Sequence, residues 1–531
     1  LRRRRCEGMI LQAPLLWVSI VLPIAIGIIA WPIRSKTGLH ALFYLSSASL
    51  LIPLVVVLYS YASGVLESGS VVDPLIINVT KYSIGTIALG IDGLSAPVII
   101  GLSVVTAFVA IYSIRYMETR IDEMQRHGER VPGLGTYLLL YNIFAATMLG
   151  LAYSTNLVEF YVFLEGSLIS SFLLIAFYGY GDRRRIALLY FVWTHVGAVV
   201  FLTGVLYLGL LLHGFNYLVL TEGQLRSIGS VEYIGAAATL IAALMLFGLF
   251  VKMAIFGVHM WLPYAHAEAP TPISALLSPN LIGLAGYAIA RFMIPLFPTQ
   301  MLSWRPFLLG LAFTTIVYAG LVALRQADFK RFLAYSSISQ MGYMLLGLST
   351  LNPYGITGAM LIYLSHAIGK AVLFMTAGVF ITELEGLRDI GRMGGLARRY
   401  PLVASLALFG FMNLAGLPPS VGMWSEIFIV LGVVNSYLFR GYEYMFGLSL
   451  LLIVALTVTA AYSFITMRRI FYGQPRSEVE AHEVVDGFKI SMLAIALFSV
   501  VFFLAIDPLT SGLSFAASHV VLLNGLMGGV S

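Results

Sequence analysis

The chain has 531 residues, of which 59% are hydrophobic and only 11% charged, with a formal net charge of +6. Soluble domains carry roughly a quarter charged residues, so an ordinary soluble fold is excluded, and apolar runs along the whole length exclude a cleaved leader followed by a soluble body. A single cysteine, Cys6, excludes a disulfide framework, an iron–sulfur cluster and any cysteine-rich metal site within this chain, so any redox chemistry belongs to a partner.

In chain order, the opening LRRRRCEG precedes Met9, and because Leu1 is not a usual initiator the first eight residues read as an extension of the folded body. Runs of about 20 apolar residues predict membrane spans over 13–32, 38–62, 90–114, 135–152, 156–179, 186–213, 232–268, 273–297, 306–325, 331–349, 355–384, 400–434, 447–470 and 488–506. The seventh span is broken by prolines and the twelfth at GLPPS; a longer polar loop separates the second span from the third. The tail, 507–531, is apolar but short and rich in Gly and Ser, so a further span there is not expected. The fold class is therefore an all-α polytopic membrane protein of about fourteen transmembrane helices.

Cytoplasmic loops of membrane proteins collect Lys and Arg. With the first span's N-terminus outside, inside loops hold Arg34, Lys36, Arg115, Arg120, Arg183 to Arg185, Lys330, Arg331, Arg468, Arg469, Arg476 and Lys489; outside loops hold Lys81, Arg226, Arg305 and Arg440. Both termini are then expected outside a cell (plasma) membrane. Arg2 to Arg5 contradict this placement unless translation starts at Met9. Five spans over 133–297 and five over 303–472 each have a broken fourth member with a buried ionisable residue, Lys252 and Glu426. Five is odd, so two such units in tandem lie inverted, an arrangement with discontinuous helices that transporters use. The expected organisation is 1–115, an N-terminal extension with three helices; the two repeats; and 473–531, a last membrane helix and tail.

Lys252 lies inside the membrane-length run FGLFVKMAIFGVHMWLPYAHAEAPTPISALLSP, broken further on by Pro263, Pro270, Pro272 and Pro279. A charge at mid-membrane depth costs about 3 kcal/mol on the mildest scale, which favours a functional, hydrated lysine over an accidental one. Carbonyls freed by the prolines need protein or a water-filled cavity to receive them. Glu165, with nine or more span residues on either side, is a second candidate. An unpaired carboxylate there takes up a proton and a nearby lysine keeps it ionised, so Glu165 and Lys252 form a candidate proton-switching pair. Glu159, nearer the outer end of that span, reads as solvated and structural. Lys370 and His366, four apart on one helical face, can pass protons between them. His195 lacks such a neighbour in sequence, and relay and core roles are equal for it. Glu426 follows the second helix break at the depth of Glu165.

Lys252, His259 and His266, spaced by seven, would share a helical stripe, with Pro263 expected to interrupt it before the last member. His259, His266 and Glu268 invite a zinc reading, since HAE matches the start of a deaminase signature, but the Cys pair that signature needs is missing. HExxH, a phosphate-binding lysine loop and GxGxxG are missing too, so the chain offers no motif for zinc proteolysis, ATP hydrolysis or dinucleotide binding. No metal and no cofactor is expected in this chain.

The motifs VKMAIFGVHMWLPYAHAEAPTPISALL, LRQADFKRFLAYSSISQMGYMLLG, LSHAIGKAVLF and LAGLPPSVGMWSEIF resemble the antiporter-like subunits of respiratory complex I and their relatives in Mrp-type sodium/proton antiporters and archaeal membrane-bound hydrogenases. The resemblance covers residues 90 to 470 and implies a proton-translocating subunit in a hetero-oligomeric redox complex. Its proton-transfer residues would be Glu165, Lys252, His259, His195, His366, Lys370 and Glu426. It also implies an electron-carrying arm in other chains, with iron–sulfur clusters or a nickel–iron centre, oxidising NADH, a deazaflavin or ferredoxin and reducing quinone, protons or a sulfur compound. A sodium/proton antiporter subunit of an Mrp-type assembly is the rival; an inert scaffold would leave four buried charges unexplained. Many members carry a lysine or histidine in the eighth span, where this chain has only Asn280, Tyr287 and Arg291. The two halves must then connect through water, Asn280 or a neighbouring helix, with Lys370 taking part.

One expectation is tested directly: deletion of residues 1–8 leaves membrane insertion and assembly unchanged. Loss of insertion on that deletion would show that Arg2 to Arg5 are needed.

Overall fold

The computed structural model describes residues 9–79, 84–221, 224–437, 442–474 and 483–522. The expectations for residues 1–8, Lys81, Arg440, Arg476 and the tail beyond 522 fall outside them. Long apolar stretches become helices, even across Pro23 in the first and Pro306 in the ninth span, because a helix satisfies its own backbone in hydrocarbon. They are α1 (Leu15–Ala30), α2 (Lys36–Leu50), α3 (Ile52–Ala62), α4 (Ala96–Arg126), α5 (Leu134–Tyr153), α6 (Leu157–Tyr178), α7 (Arg183–Leu212) and α8 (Ala236–Met253). After a break come α9 (Trp261–Glu268), α10 (Thr271–Leu276), α11 (Ile282–Ala288) and α12 (Ile294–Leu296), the last three joined by π-helical turns into one span, Thr271–Leu296. The rest are α13 (Pro298–Leu324), α14 (Phe329–Ser349), α15 (Pro353–Glu383), α16 (Pro401–Leu414), α17 (Val421–Tyr437), α18 (Tyr442–Phe471), α19 (Gly487–Leu504) and α20 (Ile506–Leu522).

Among the described residues eleven helices are long and apolar enough to cross a membrane, with three shorter apolar ones, Leu15–Ala30, Pro401–Leu414 and Val421–Ser436. The protein is thus a polytopic, mostly helical membrane protein, with no closed sheet among the described residues. The polar stretches form short strands: β1 (Met9–Ile10) beside β2 (Ser70–Val72), which pairs with β5 (Gly90–Asp92), and the ribbons β3 (Ile77–Val79) with β4 (Gly85–Ile87) and β6 (Leu218–Thr221) with β7 (Gln224–Ser227). The third span therefore starts at Ala96, not at residue 90. α20 buries Leu509, Leu513, Ala517 and Val521, a stripe at i, i+4 spacing.

The span Thr271–Leu296 is the centre of the packing: its most apolar window is wholly buried, against α4, α8, α14 and α15. Its two π segments, Leu277–Leu281 and Ile289–Met293, hold Asn280 and Arg291. Arg291 makes two 2.6 Å hydrogen bonds to Asp92, the last residue of β5, and its Nε donates to the Tyr287 hydroxyl at 2.9 Å. That ion pair ties the eighth span to the loop that opens α4.

Several basic residues expected in loops are buried instead, because each finds an acceptor. Lys489 is fully buried on Glu383, 2.5 Å away, with Arg115 bridging Glu383 and Asp486. Arg120 donates to the Gly179 carbonyl at 2.5 Å and lies over the Tyr180 ring. Lys330 is fully buried on the Ala269 carbonyl.

Removing one member of a buried pair leaves an uncompensated charge, at a cost of about 3–5 kcal/mol. Asp92→Ala should therefore lower the melting temperature of the purified assembly strongly. The double replacement Asp92→Leu with Arg291→Leu should recover much of the loss. Equal melting of Asp92→Ala and the parent would remove this pair from the fold's essential contacts.

Candidate functional site

Glu165 sits mid-way along α6 and His195 on α7, and the fold brings them together: His195 Nδ1 is 3.2 Å from Glu165 Oε2 and 3.3 Å from Oε1. The histidine ring is stacked on Phe191 at 5.4 Å. With side-chain exposures of 16% for Glu165 and 41% for His195, the pair opens toward the periphery, between exposed Val162 and Ile169 on α6 and exposed Val192 and Val196 on α7. The partner absent from the sequence neighbourhood of His195 is thus thirty residues earlier. Glu159 is buried, not solvated: its Oε2 accepts the Thr155 N–H at 3.1 Å at the start of α6. The bond ties the first turn of α6 to the residue before its N-cap, Asn156.

Lys252 lies in the last turn of α8, immediately before the helix breaks. The break falls at Ala254, whose φ is +56°, and runs to Met260; Pro263 lies inside α9 without interrupting it. The expected stripe is thus broken between Lys252 and His259. Reversal at Ala254 ends the hydrogen-bond ladder, and the Trp261 indole N–H donates to the Val251 carbonyl at 3.0 Å. The negative end of a helix favours a cation, so the last turn suits an ammonium. Lys252 is 5% exposed and, among the described residues, has no carboxylate within 4 Å. Glu165 is its electrostatic neighbour rather than a contact partner.

His259 and His266 are buried, and neither ring nitrogen of either has a hydrogen-bond partner. His259 packs between Phe256 and Tyr318, and His266 against Phe374. Among the described residues no group of three or more His, Cys, Asp or Glu is placed to hold a metal.

On α15, Lys370 is fully buried and donates to the Leu333 carbonyl at 3.0 Å and to the Ser336 hydroxyl, both on α14. His366, one turn earlier, is fully buried with both ring nitrogens unpartnered. Asn280 faces this region from the eighth span, its side-chain nitrogen and oxygen both unpartnered, while the Tyr363 hydroxyl donates to its backbone carbonyl at 3.2 Å. A Cβ on Gly283 would lie 2.6 Å from the Tyr363 ring. The space beside that position belongs to the tyrosine.

The second break, between α16 and α17, mirrors the first. The Leu414 carbonyl accepts from Gln340 Nε2 at 3.0 Å and the Asn413 carbonyl from Ser365 at 2.9 Å. Glu426 on α17 is folded against Gly416, where φ is +62° and a Cβ would come 2.1 Å from a carboxylate oxygen. Tyr343 and Tyr462 are its electrostatic neighbours.

The sequence-predicted residues therefore form groups rather than one cluster: Glu165 with His195, Lys252 at its break, His366 with Lys370, and Glu426 at the second break. Asp92, Ser278, Ser336 and Ser337 escaped the sequence reading. A lone acid in GIDGLSAP just before a long apolar run, and the serine pair inside a span at AYSSISQ, were the available signals.

The family described as NADH:quinone oxidoreductase/Mrp antiporter, TM, matches residues 154–451. NADH-quinone oxidoreductase subunit M of Rhodobacter capsulatus is 31% identical over 393 residues, 73% of this chain and 72% of the relative. F(420)H(2) dehydrogenase subunit M of Methanosarcina mazei is 31% identical over 421 residues, 78% of this chain and 80% of the relative. A chain of respiratory complex I from Thermus thermophilus with bound NADH superposes with a TM-score of 0.80 at 25% identity, covering 96% of this chain and all of that one.

Crowding a packed core costs about 1–3 kcal/mol, so Gly283→Ala should destabilise the assembly by that order. Adding Tyr363→Ala should make the two effects less than additive, read from thermal melting. Full additivity would mean that the ring does not fill this space.

Proposed function

The chain belongs to the NADH:quinone oxidoreductase/Mrp antiporter transmembrane family, and from that membership we propose that it is a proton-translocating, antiporter-like subunit of a complex I-like membrane redox complex. The observation that carries this reading is Lys252: buried in the last turn before a helix break, without a carboxylate in contact. Such a group changes charge when a neighbour does, and Glu165, its electrostatic neighbour, is hydrogen-bonded to His195 on the next helix. Lys370 with His366, and Glu426 beyond, continue the set of ionisable groups into the second half of the chain.

In this reading the chain has fourteen membrane helices. Two inverted repeats, 133–297 and 303–472, each carry one broken helix; 1–115 and 473–531 flank them, and both termini lie outside a plasma membrane. Electrons travel in partner subunits that hold iron–sulfur clusters or a nickel–iron centre, and this chain moves ions. The Mrp branch named in the family description favours a second reading, sodium/proton exchange driven by one ion gradient. Ion exchange by the reconstituted assembly without an electron donor would select it.

The test compares ions moved per electron in reconstituted vesicles. Lys252→Met and Glu165→Gln should lose most of the pumping while the complex still passes electrons to an artificial acceptor. Asn280→Ala, which removes no charge, should cost less. A fully assembled Lys252→Met complex with an unchanged ion-to-electron ratio would end the assignment of this lysine.

A further inference from the structure

Between Thr271 and Ala290 the eighth span carries no Lys, Arg, His, Asp or Glu, yet it is the wall between the two proposed repeats. One set of side-chain hydrogen bonds reaches into that wall from Lys370. The Leu333 carbonyl on α14 is approached by three donors: Lys370 Nζ at 3.0 Å, Ser337 Oγ at 2.9 Å and Ser336 Oγ at 3.1 Å. Ser336 also accepts from Lys370. Ser337 Oγ is 2.6 Å from Ser278 Oγ, in the first π segment of the eighth span. All three serines and Lys370 are fully buried.

A carbonyl oxygen has two lone pairs, and inside α14 one of those on Leu333 O takes the backbone N–H four residues on, so the three side-chain donors compete for the other. A charged donor makes the stronger bond, and the protonation state of Lys370 therefore decides which hydroxyl is displaced. When Lys370 is an ammonium it holds Leu333 O and the Ser336 oxygen, and the Ser337 O–H must turn to Ser278. When Lys370 is a neutral amine, its nitrogen lone pair accepts the Ser336 O–H and its weaker N–H yields Leu333 O to the Ser337 O–H, so that Ser337 can accept from Ser278.

We propose that Ser337 and Ser278 are positioning residues, a two-state hydroxyl pair that transmits the charge on Lys370 across the seam into the π-helical turn of the eighth span. This rests on the proton-translocating reading. The pair reverses its donor direction with each change of charge and forms no covalent bond. Next to it in the same π segment is Asn280, whose buried side chain has both polar atoms unpartnered. π-helical turns of this kind are concentrated at functional sites.

The experiment uses the whole complex in vesicles and reads ions per electron across a pH series. Ser337→Thr, which keeps the hydroxyl, and Ser337→Val, which matches its volume without one, form the decisive pair. Ser337→Val and Ser278→Ala should each lower the ratio about fivefold, the factor carried by one hydrogen bond, and should flatten its dependence on pH. Ser337→Thr should retain both, and the double variant should cost no more than either single one. Thr376→Ala removes another buried hydroxyl from the helix of Lys370, one bonded only to its own helix, and should leave the ratio unchanged. An unchanged ratio and pH profile in Ser337→Val, with a ratio lost in Lys370→Met, overturns the hydroxyl pair and leaves the proton-translocating reading standing. An unchanged ratio in Lys370→Met overturns the hydroxyl pair together with its trigger, whereas an unchanged ratio in Lys252→Met overturns the proton-translocating reading itself.

Discussion

A broken helix inside hydrocarbon exposes carbonyls that nothing in lipid can satisfy, and the setting of Lys252 and Glu426, the ionisable groups at the two breaks, depends on how those carbonyls are received. At the first break the Trp261 indole takes the Val251 carbonyl; at the second, Gln340 and Ser365 take those of Leu414 and Asn413. Each donor comes from a neighbouring turn or helix, so each break is locked by tertiary packing. Lys252 can remain in the interior because the α8 terminus it sits on is an oriented dipole that needs no reorganisation. Glu426 is placed at its break by close approach, against a glycine that leaves room for a carboxylate.

Hydropathy made the spans legible in the sequence, since a run of twenty apolar residues admits few alternatives. The same contrast made Lys252, Glu165, Lys370 and Glu426 stand out. What escaped was pairing at long range. His195 looked isolated because its partner, Glu165, is on the preceding span, and helices joined by a short turn pack antiparallel, a relation that periodicity does not report. Asp92 was hidden for the opposite reason: it ends the short strand β5 at the edge of the third predicted span, where an acid draws little notice, and only its two bonds to Arg291 give it meaning. The basic residues misled differently. Lys489 and Lys330 fall in stretches that read as loops by composition, but Glu383 and the Ala269 carbonyl draw them inside.

Prolines were over-read as break points. Pro263 occupies an early position of α9, where its missing N–H would be unpaired anyway. The actual reversal is at Ala254, a residue without any propensity to announce it. A left-handed non-glycine residue is costly and is tolerated where surrounding packing over-determines it. Its position two residues after Lys252 places the strained turn beside the buried charge.

The eighth span shows how a wholly buried helix can hold polar groups. Three of its polar side chains, Ser278, Asn280 and Arg291, fall in π-helical turns, which widen the helix locally and loosen its backbone ladder. The two turns have different surroundings. At the outer one, Arg291 is fully matched by Asp92 and Tyr287, a rigid arrangement that anchors the span. At the inner one, Asn280 is unmatched and Ser278 shares its hydrogen bond with Ser337, an arrangement with more than one way of being satisfied. A helix pinned at one end and adaptable in the middle can stay in place while the direction of its hydrogen bonds changes. Such a change needs only hydroxyl rotation, which requires no movement of packed side chains and therefore no opening of the core.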